Sequence, residues 1–309
     1  MCFSAQVWAA YDKFVRVHGA IMDIKAFHRT FIAAREAGHW NRLPKAMRDA
    51  FRTPADASGF ALARLVAEGD RAQLAALDAE LVTQRERLAR AETVLAGGRP
   101  TKKAAEDRRI AARRIEAAER RRADLQRREP DPDDARIYPG SYAPVMVWEG
   151  GCRVVRPMRY QCRPAGRPAS WDQRYPGTYN ARRDNLEGAW KAQFGHTHGL
   201  IVVETFYENV PGPDGRNRVL QFTPRDREPM LVACLWSRWD GPGETLLSFA
   251  AITDEPEPEV AAAGHDRTIV NIRPEHIDAW LRPDPARLDA LYAILDDRRH
   301  PYYEHRIAA

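Results

Sequence analysis

Between Ala61 and Arg128 the chain contains no aromatic residue and a single proline, and Ala, Arg, Glu and Leu dominate. That composition leaves one regular structure open, the α-helix, because its residues lose little rotamer freedom there. Leu74, Leu81, Leu88 and Leu95 recur every seven residues before Gly97-Gly98-Arg99-Pro100. Ala104, Ala111, Ala118 and Leu125 do so after it, flanked by Ile110 and Ile115. Two seams with a helix-breaking turn between them predict an antiparallel helical hairpin. Its second arm, Thr101 to Arg128, carries eleven basic residues against five acidic ones, a surplus larger than the +5 of the whole chain. Such an arm is either a solvated coiled-coil face or a surface that lies along phosphates.

Outside this segment the pattern changes. From Ser4 to about Pro54, apolar residues (Val7, Trp8, Tyr11, Phe14, Val15, then Ile24, Phe27 and Phe31) recur at helical spacing, with Asp23 as a cap, which predicts two or three short helices. After the proline-rich acidic linker Glu129 to Asp134, short apolar or β-branched runs follow one another: Val145 to Trp148, Leu200 to Phe206, Val219 to Phe222, Met230 to Leu235, Leu246 to Ile252 and Thr268 to Ile272. Many short strands with few helices between them predict a compact, mostly antiparallel β-barrel or sandwich, closed by helical turns near Pro274 to Leu281 and Pro285 to Leu295. The expected class is α+β. Residues 1–60 and 131–309 form the β-rich domain with its short helices, and 61–130 is an inserted hairpin.

Hydrophobic residues make up 44% of the 309, enough for a sizeable core. No window reaches the length of a membrane span, and the start of the chain shows no secretory leader, so a cytoplasmic protein with no membrane partner is expected, nucleoid-associated when bound to DNA. The four cysteines are irregularly spaced, and the pair His196 and His198 lacks a further ligand at matching distance, so neither a disulfide framework, a metal nor any other cofactor is expected. No glycine-rich phosphate loop or nucleophile elbow occurs.

The unusual cysteine is Cys2. Initiator methionine is commonly removed before a small residue, which leaves Cys2 with a free α-amine beside its thiol. An amine of this kind forms an imine with an aldehyde, and the thiol of the same residue then closes a five-membered thiazolidine. Downstream, the segments WDQRYPGTYNARRDNLEGAW from Trp171, GHTHGLIVVETFYENVPG, EPMLVACLWSRW, LLSFAAITDEP and AAAGHDRTIVNI, then RPEHIDAWL, follow in order. Together with Cys2 this succession resembles the SRAP family, the SOS response-associated peptidases, one of whose members shields abasic sites in DNA. The resemblance covers Cys2 and most of Tyr138 to Leu281, and the hairpin lies outside it.

The resemblance implies that Cys2 crosslinks to the ring-opened sugar of an abasic site in single-stranded DNA. It implies an autoproteolytic step exposing Cys2, although an aminopeptidase would serve equally. In it Asn180 would hold Cys2, Arg182 would bind a phosphate beside the lesion, Glu208 would move protons during imine formation, and His265 would assist ring opening and reversal. Glu204 competes with Glu208 on the residues alone. Trp171 would lie against flanking bases, and Arg153, Arg156, Arg159, Arg163, Arg167, Arg174 and Arg183 are candidates for a groove along the phosphates. One departure is plain: Phe3 and Ser4 stand where the family commonly has Gly and a DNA-contacting Arg. Two other readings stay open. One is an amino-terminal-nucleophile hydrolase acting on an amide through Cys2. The other is a non-catalytic nucleic-acid-binding protein that works through the Arg-rich hairpin, which is also a candidate for protein partners or self-association.

Overall fold

The computed structural model describes residues 4–8, 11–53, 57–212 and 214–308, which divide into two compact units. In chain order the elements are β1 (Ser4–Val7), α1 (Tyr11–His18), β2 (Ile21–Met22), α2 (Ile24–Glu36), α3 (Lys45–Asp49), α4 (Ala57–Ala96), α5 (Lys102–Gln126), β3 (Arg136–Ile137), β4 (Tyr142–Glu149) and β5 (Cys152–Tyr160). Then come α6 (Trp171–Arg174), β6 (Asn180–Arg182), β7 (His198–Pro211), β8 (Asn217–Pro224), β9 (Met230–Gly241), β10 (Glu244–Asp254), α7 (Pro258–Ala262), β11 (Thr268–Ile269), α8 (Ile277–Leu281), α9 (Leu288–Asp296) and β12 (Tyr303–Ile307). Among the described residues, no helix is long and apolar enough to cross a membrane.

The first unit takes the residues up to Thr30, Asn41–Ala50 and those from Pro132 onward. Five of its strands close on themselves: β4 pairs β5, β5 pairs β10, β10 pairs β9, β9 pairs β7, and β7 returns to β4. Of these five pairings the β5–β10 one is parallel and the other four antiparallel. Closure removes the unpaired edges that an open sheet would expose. The β4–β5 hairpin turns through Gly150 and Gly151, both at positive φ, the conformation a tight two-residue hairpin demands. Inside, Val145, Val147, Met158, Tyr160, Ile201, Val203, Val232, Cys234 and Phe249 form one buried cluster. The β7 run from His198 to Val203 is buried on both faces, because α8 covers its outer side: Trp280 Nε1 donates to the Gly199 carbonyl at 3.0 Å.

One expectation changes here, and one strand appears that the sequence reading did not include. Ser4 to Val7 is a strand, not the start of a helix; it lies antiparallel between β3 and β7, and four residues are too few for a period to show. Cys152 to Tyr160 is also a strand of the barrel, with Arg153, Arg156 and Arg159 at a spacing that hides its alternation. The expected cap is present: Asp23 Oδ1 accepts the Ala26 N–H at 2.9 Å.

The second unit takes Phe31–Trp40 and Phe51–Asp131. Helices α4 and α5 form the hairpin, with Thr101 capping α5 by accepting the Ala104 N–H at 3.1 Å. Ala104, Ala111 and Ala118 are buried, as are Leu77, Leu81 and Ala91. Small residues on one arm let the two helices approach closely. Trp40 packs on α4 where Gly69 leaves room; a Cβ there would fall 2.3 Å from the indole, and the Trp40 N–H donates to Asp70 at 2.8 Å. Across the seam Arg85 pairs with Glu119 at 2.7 Å, Arg87 with Asp107 at 2.5 Å and Arg122 with Asp78 at 2.9 Å. Lys102, Lys103, Arg113, Arg120 and Arg121 are exposed.

Candidate active site

Strand β7 ends its buried stretch with Phe206, Tyr207 and Glu208. Glu208 stands opposite Leu220 of β8 and is fully buried. Glu204, by contrast, has a side chain 51% exposed and meets Lys13 at 3.9 Å. The nearest described polar group is His265, whose Nε2 lies 3.2 Å from Glu208 Oε2. His265 follows α7 through Gly264, whose φ is +94°, so the chain turns sharply enough to aim the ring at β7.

The other ring nitrogen of His265 has two neighbours on its own loop, the Arg267 carbonyl at 2.9 Å and the Arg267 N–H at 3.3 Å. Nδ1 therefore finds an acceptor when it carries a proton and a donor when it does not. With the proton on Nε2, Nδ1 accepts from the Arg267 N–H. With the proton on Nδ1, the ring donates to the Arg267 carbonyl. Burial pushes the His265 pKa below its ordinary value, against the opposing pull of that carbonyl, so the ring is neutral near pH 7. An imidazole whose Nδ1 is satisfied in either tautomer can take up or release a proton at Nε2 without rebuilding its loop.

Asn180 and Arg182 lie on β6, which runs parallel to β10 with Asn180 opposite Ala251 and Arg182 opposite Thr253. Asn180 is buried. Arg182 is exposed and paired to Asp184, with Nε at 3.1 Å and Nη2 at 2.5 Å. Asp184 also meets Arg267 at 3.8 Å, which joins the β6 end to the His265 loop. Cys2 lies outside the described residues. The strand that leads from it, β1, pairs Ser4 with Tyr207, the neighbour of Glu208. Arg267, Asp184 and Tyr207 were not singled out from the sequence; the Arg of the GHDR stretch was the only visible signal.

A second surface is built on α6. Trp171 lies 4.0 Å from Tyr175, ring centre to ring centre, with Arg167 at 4.6 Å over Trp171 and Arg174 at 5.5 Å over Tyr175. The segment is anchored by Asp172, which takes Arg159 Nη1 at 2.7 Å and Arg163 Nε at 3.1 Å. Gln161, at φ +128°, is held from both sides: its carbonyl accepts from Arg159 Nη2 at 3.1 Å and its amide donates to the Asp172 carbonyl at 3.0 Å. Arg163 also stacks on Trp239 at 4.3 Å.

This geometry corrects the expected arginine groove. Arg159 and Arg163 are buried on Asp172, Arg153 is bound to Asp278 at 2.8 Å, and Arg156 to Asp23 at 3.0 Å and Glu149 at 2.6 Å. These four brace the barrel. Arg183 is half-buried and divides its guanidinium between Asp254 at 3.0 Å and Asp296, whereas Arg167 and Arg174 are exposed beside the rings.

Among the described residues no group of three His, Cys, Asp or Glu side chains assembles that could hold a metal ion. His198 is instead a core residue. Its Nε2 accepts the Gly195 N–H at 2.9 Å and its Nδ1–H donates to the Trp280 carbonyl at 3.1 Å. Burial lowers its pKa to about 3. Burial pushes the Cys162 thiol up to about 12 and raises that of Cys234, which makes both poor nucleophiles.

The sequence profile of the SOS response-associated peptidase (SRAP) family matches residues 98–306, and the chain belongs to that family. Membership ties it to a DNA-damage-associated group of proteins. No curated protein matches it. Among solved structures it is similar to a protein from Bordetella bronchiseptica at 19% identity, over 57% of this chain and 87% of the other, with a TM-score of 0.47. A protein from Bacteroides thetaiotaomicron is similar at 14% identity over 57% and 78%, with a TM-score of 0.47. A phage-related protein from Bordetella bronchiseptica is similar at 20% identity over 56% and 81%, with a TM-score of 0.43.

Proposed function

We propose that this protein senses abasic sites in single-stranded DNA and bonds to them through Cys2 once Met1 is gone. The observation that carries the reading is the buried Glu208–His265 pair beside the strand that leads to Cys2. Two peptide bonds join Cys2 to Ser4, so their α-carbons stay within about 8 Å of each other whatever the backbone angles. Ser4 in turn is paired with the residue before Glu208.

The ring-opened sugar of an abasic site presents an aldehyde at C1′. The neutral α-amine of Cys2 adds to that carbon, and the carbinolamine loses water to leave an imine. The thiol of the same residue adds to the imine carbon, its proton passes to the nitrogen, and a thiazolidine closes. Glu208 and His265 move the protons in these steps, since a neutral imidazole beside a carboxylate both accepts and donates. Asn180 holds Cys2, and Arg182 takes a phosphate by exchanging Asp184 for it. Trp171 stacks on a base flanking the lesion, each stacked base contributing about 1–3 kcal/mol, and Arg174 and Arg183 meet the strand beside it. Removal of Met1 follows either from the family's peptidase step or from an aminopeptidase.

The exposed bases of α5 support an accessory role for the hairpin in holding nucleic acid, because the acids Asp107 and Glu119 of that helix are paired with arginines of α4. The test is incubation with a single-stranded oligonucleotide bearing one abasic site, read on a denaturing gel and by intact mass. The expected result is a shifted band in protein lacking Met1 that disappears in Cys2→Ala. No shift from wild-type protein with verified Met1 loss overturns the reading, and turnover of a small amide without a DNA adduct favours an amino-terminal-nucleophile hydrolase instead.

A further inference from the structure

Arg136, the first residue of β3, is a cation in an unexpected place. It sits opposite Gln6 of β1, and its side chain is only 9% exposed. Its guanidinium carbon lies over Tyr207, 3.5 Å from the ring centre, with the Tyr138 ring at 5.1 Å. Nε donates to Ser4 Oγ at 3.1 Å. The ion pair with Asp133 is long, 3.9 Å, and that carboxylate is 64% exposed, so it compensates little of the cost of burying the charge. Tyr207 is tied to β1 as well, since its hydroxyl accepts the Gln6 amide N–H at 2.7 Å. The contacts of Arg136 thus join β3, β1 and β7 beside Glu208. An aliphatic side chain would pack a two-residue strand at lower cost; what the arginine adds is a directed bond to Ser4 and a stack on Tyr207.

We infer that Arg136 is a positioning residue for the reactive amino terminus: by clamping Ser4 against Tyr207 it fixes the strand on which Cys2 is carried. The inference rests on the reading of Cys2 as nucleophile. Ring closure needs the amine and thiol held at one carbon while the proton-transfer pair stays in reach, and β1 is only four residues long. Loss of the clamp therefore costs rate rather than DNA affinity.

The test compares wild type with Arg136→Met, Arg136→Lys and Ser4→Ala. Three quantities are read: the crosslinking rate at saturating abasic oligonucleotide, the Kd for the same oligonucleotide without the lesion, and hydrogen exchange across Ser4 to Val7. Arg136→Met slows crosslinking by about tenfold to a hundredfold, leaves the Kd unchanged and speeds exchange in β1. Arg136→Lys recovers part of the rate. Ser4→Ala slows it in the same sense, and does so even if Arg136→Met fails to fold. A rate for Ser4→Ala and Arg136→Met equal to wild type, or a loss of affinity that accounts for the whole slowing, overturns the inference while leaving the crosslinking reading intact. A wild type that forms no crosslink overturns both.

Discussion

Replacing Asp172 by Asn tests whether the aromatic platform depends on one buried carboxylate. In the native protein Asp172 is shared by Arg159 and Arg163, whose side chains are 6% and 7% exposed. Removing its charge leaves two guanidinium groups without their common counter-ion, and breaking a buried pair costs about 3–5 kcal/mol. The lower end applies to Asn, because its amide oxygen still accepts and because Arg159 keeps the Gln161 carbonyl and Arg163 keeps Trp239. The expected loss in urea unfolding at pH 7 is therefore about 3 kcal/mol. Burial raises the Asp172 pKa, but the hydrogen bonds from Arg163 and Arg159 outweigh it and hold the carboxyl below its ordinary value. The stabilisation is thus complete above the unfolded carboxylate pKa near 4 and fades as pH falls through the lower folded value. Wild type and variant should converge in stability over that acid range. Because Trp171 precedes Asp172, affinity for intact single-stranded DNA should also fall, by about 1–3 kcal/mol. A stability difference below about 1 kcal/mol at pH 7, or one that persists unchanged into acid, would falsify the argument that the pair of buried arginines depends on this charge.

Glu208→Gln and His265→Gln should each slow crosslinking by about 10²- to 10⁴-fold with intact-DNA affinity retained, measured in single-turnover time courses; full rate in either variant removes that residue from the chemistry. His198 stays neutral in the fold down to about pH 3, whereas the unfolded chain takes a proton below about 6.5. Stability should therefore decline by about 1.4 kcal/mol per pH unit between those limits, and His198→Gln should flatten that slope in urea unfolding followed against pH. Reversing Arg113, Arg120 and Arg121 to Glu should reduce the salt dependence of single-stranded DNA binding by about two units in the slope of log affinity against log salt. The maximal crosslinking rate should be unchanged; an unaltered slope makes the hairpin face merely solvated.

Much of the fold was legible because it rests on local periods. The hairpin declares itself in the seven-residue repeats from Leu74 to Leu125 and in the break at Gly97 to Pro100. Strands β4 and β7 to β10 show as apolar runs bounded by turn residues, each longer in the fold than its run: Leu200 to Phe206 became His198–Pro211. At the site, Asn180, Glu208 and His265 were reached by resemblance, and the burial that separates Glu208 from Glu204 is a property of the barrel, not of the FYEN stretch. The pairings that position the site were out of reach. Ser4 to Val7 is a strand because β3 and β7 flank it, and the bond from Arg136 to Ser4 spans 132 positions, that from Gln6 to Tyr207 spans 201. Nothing in the sequence marks Asp172 beyond its place after Trp171, and it becomes the anchor of two arginines only once β5 joins the barrel. Helical repeats and apolar runs are set by each segment's own side chains and survive in one dimension. Which cation meets which carboxylate, and which strand lies beside the amino terminus, is decided by closure of the sheet, which brings together residues that share no local pattern.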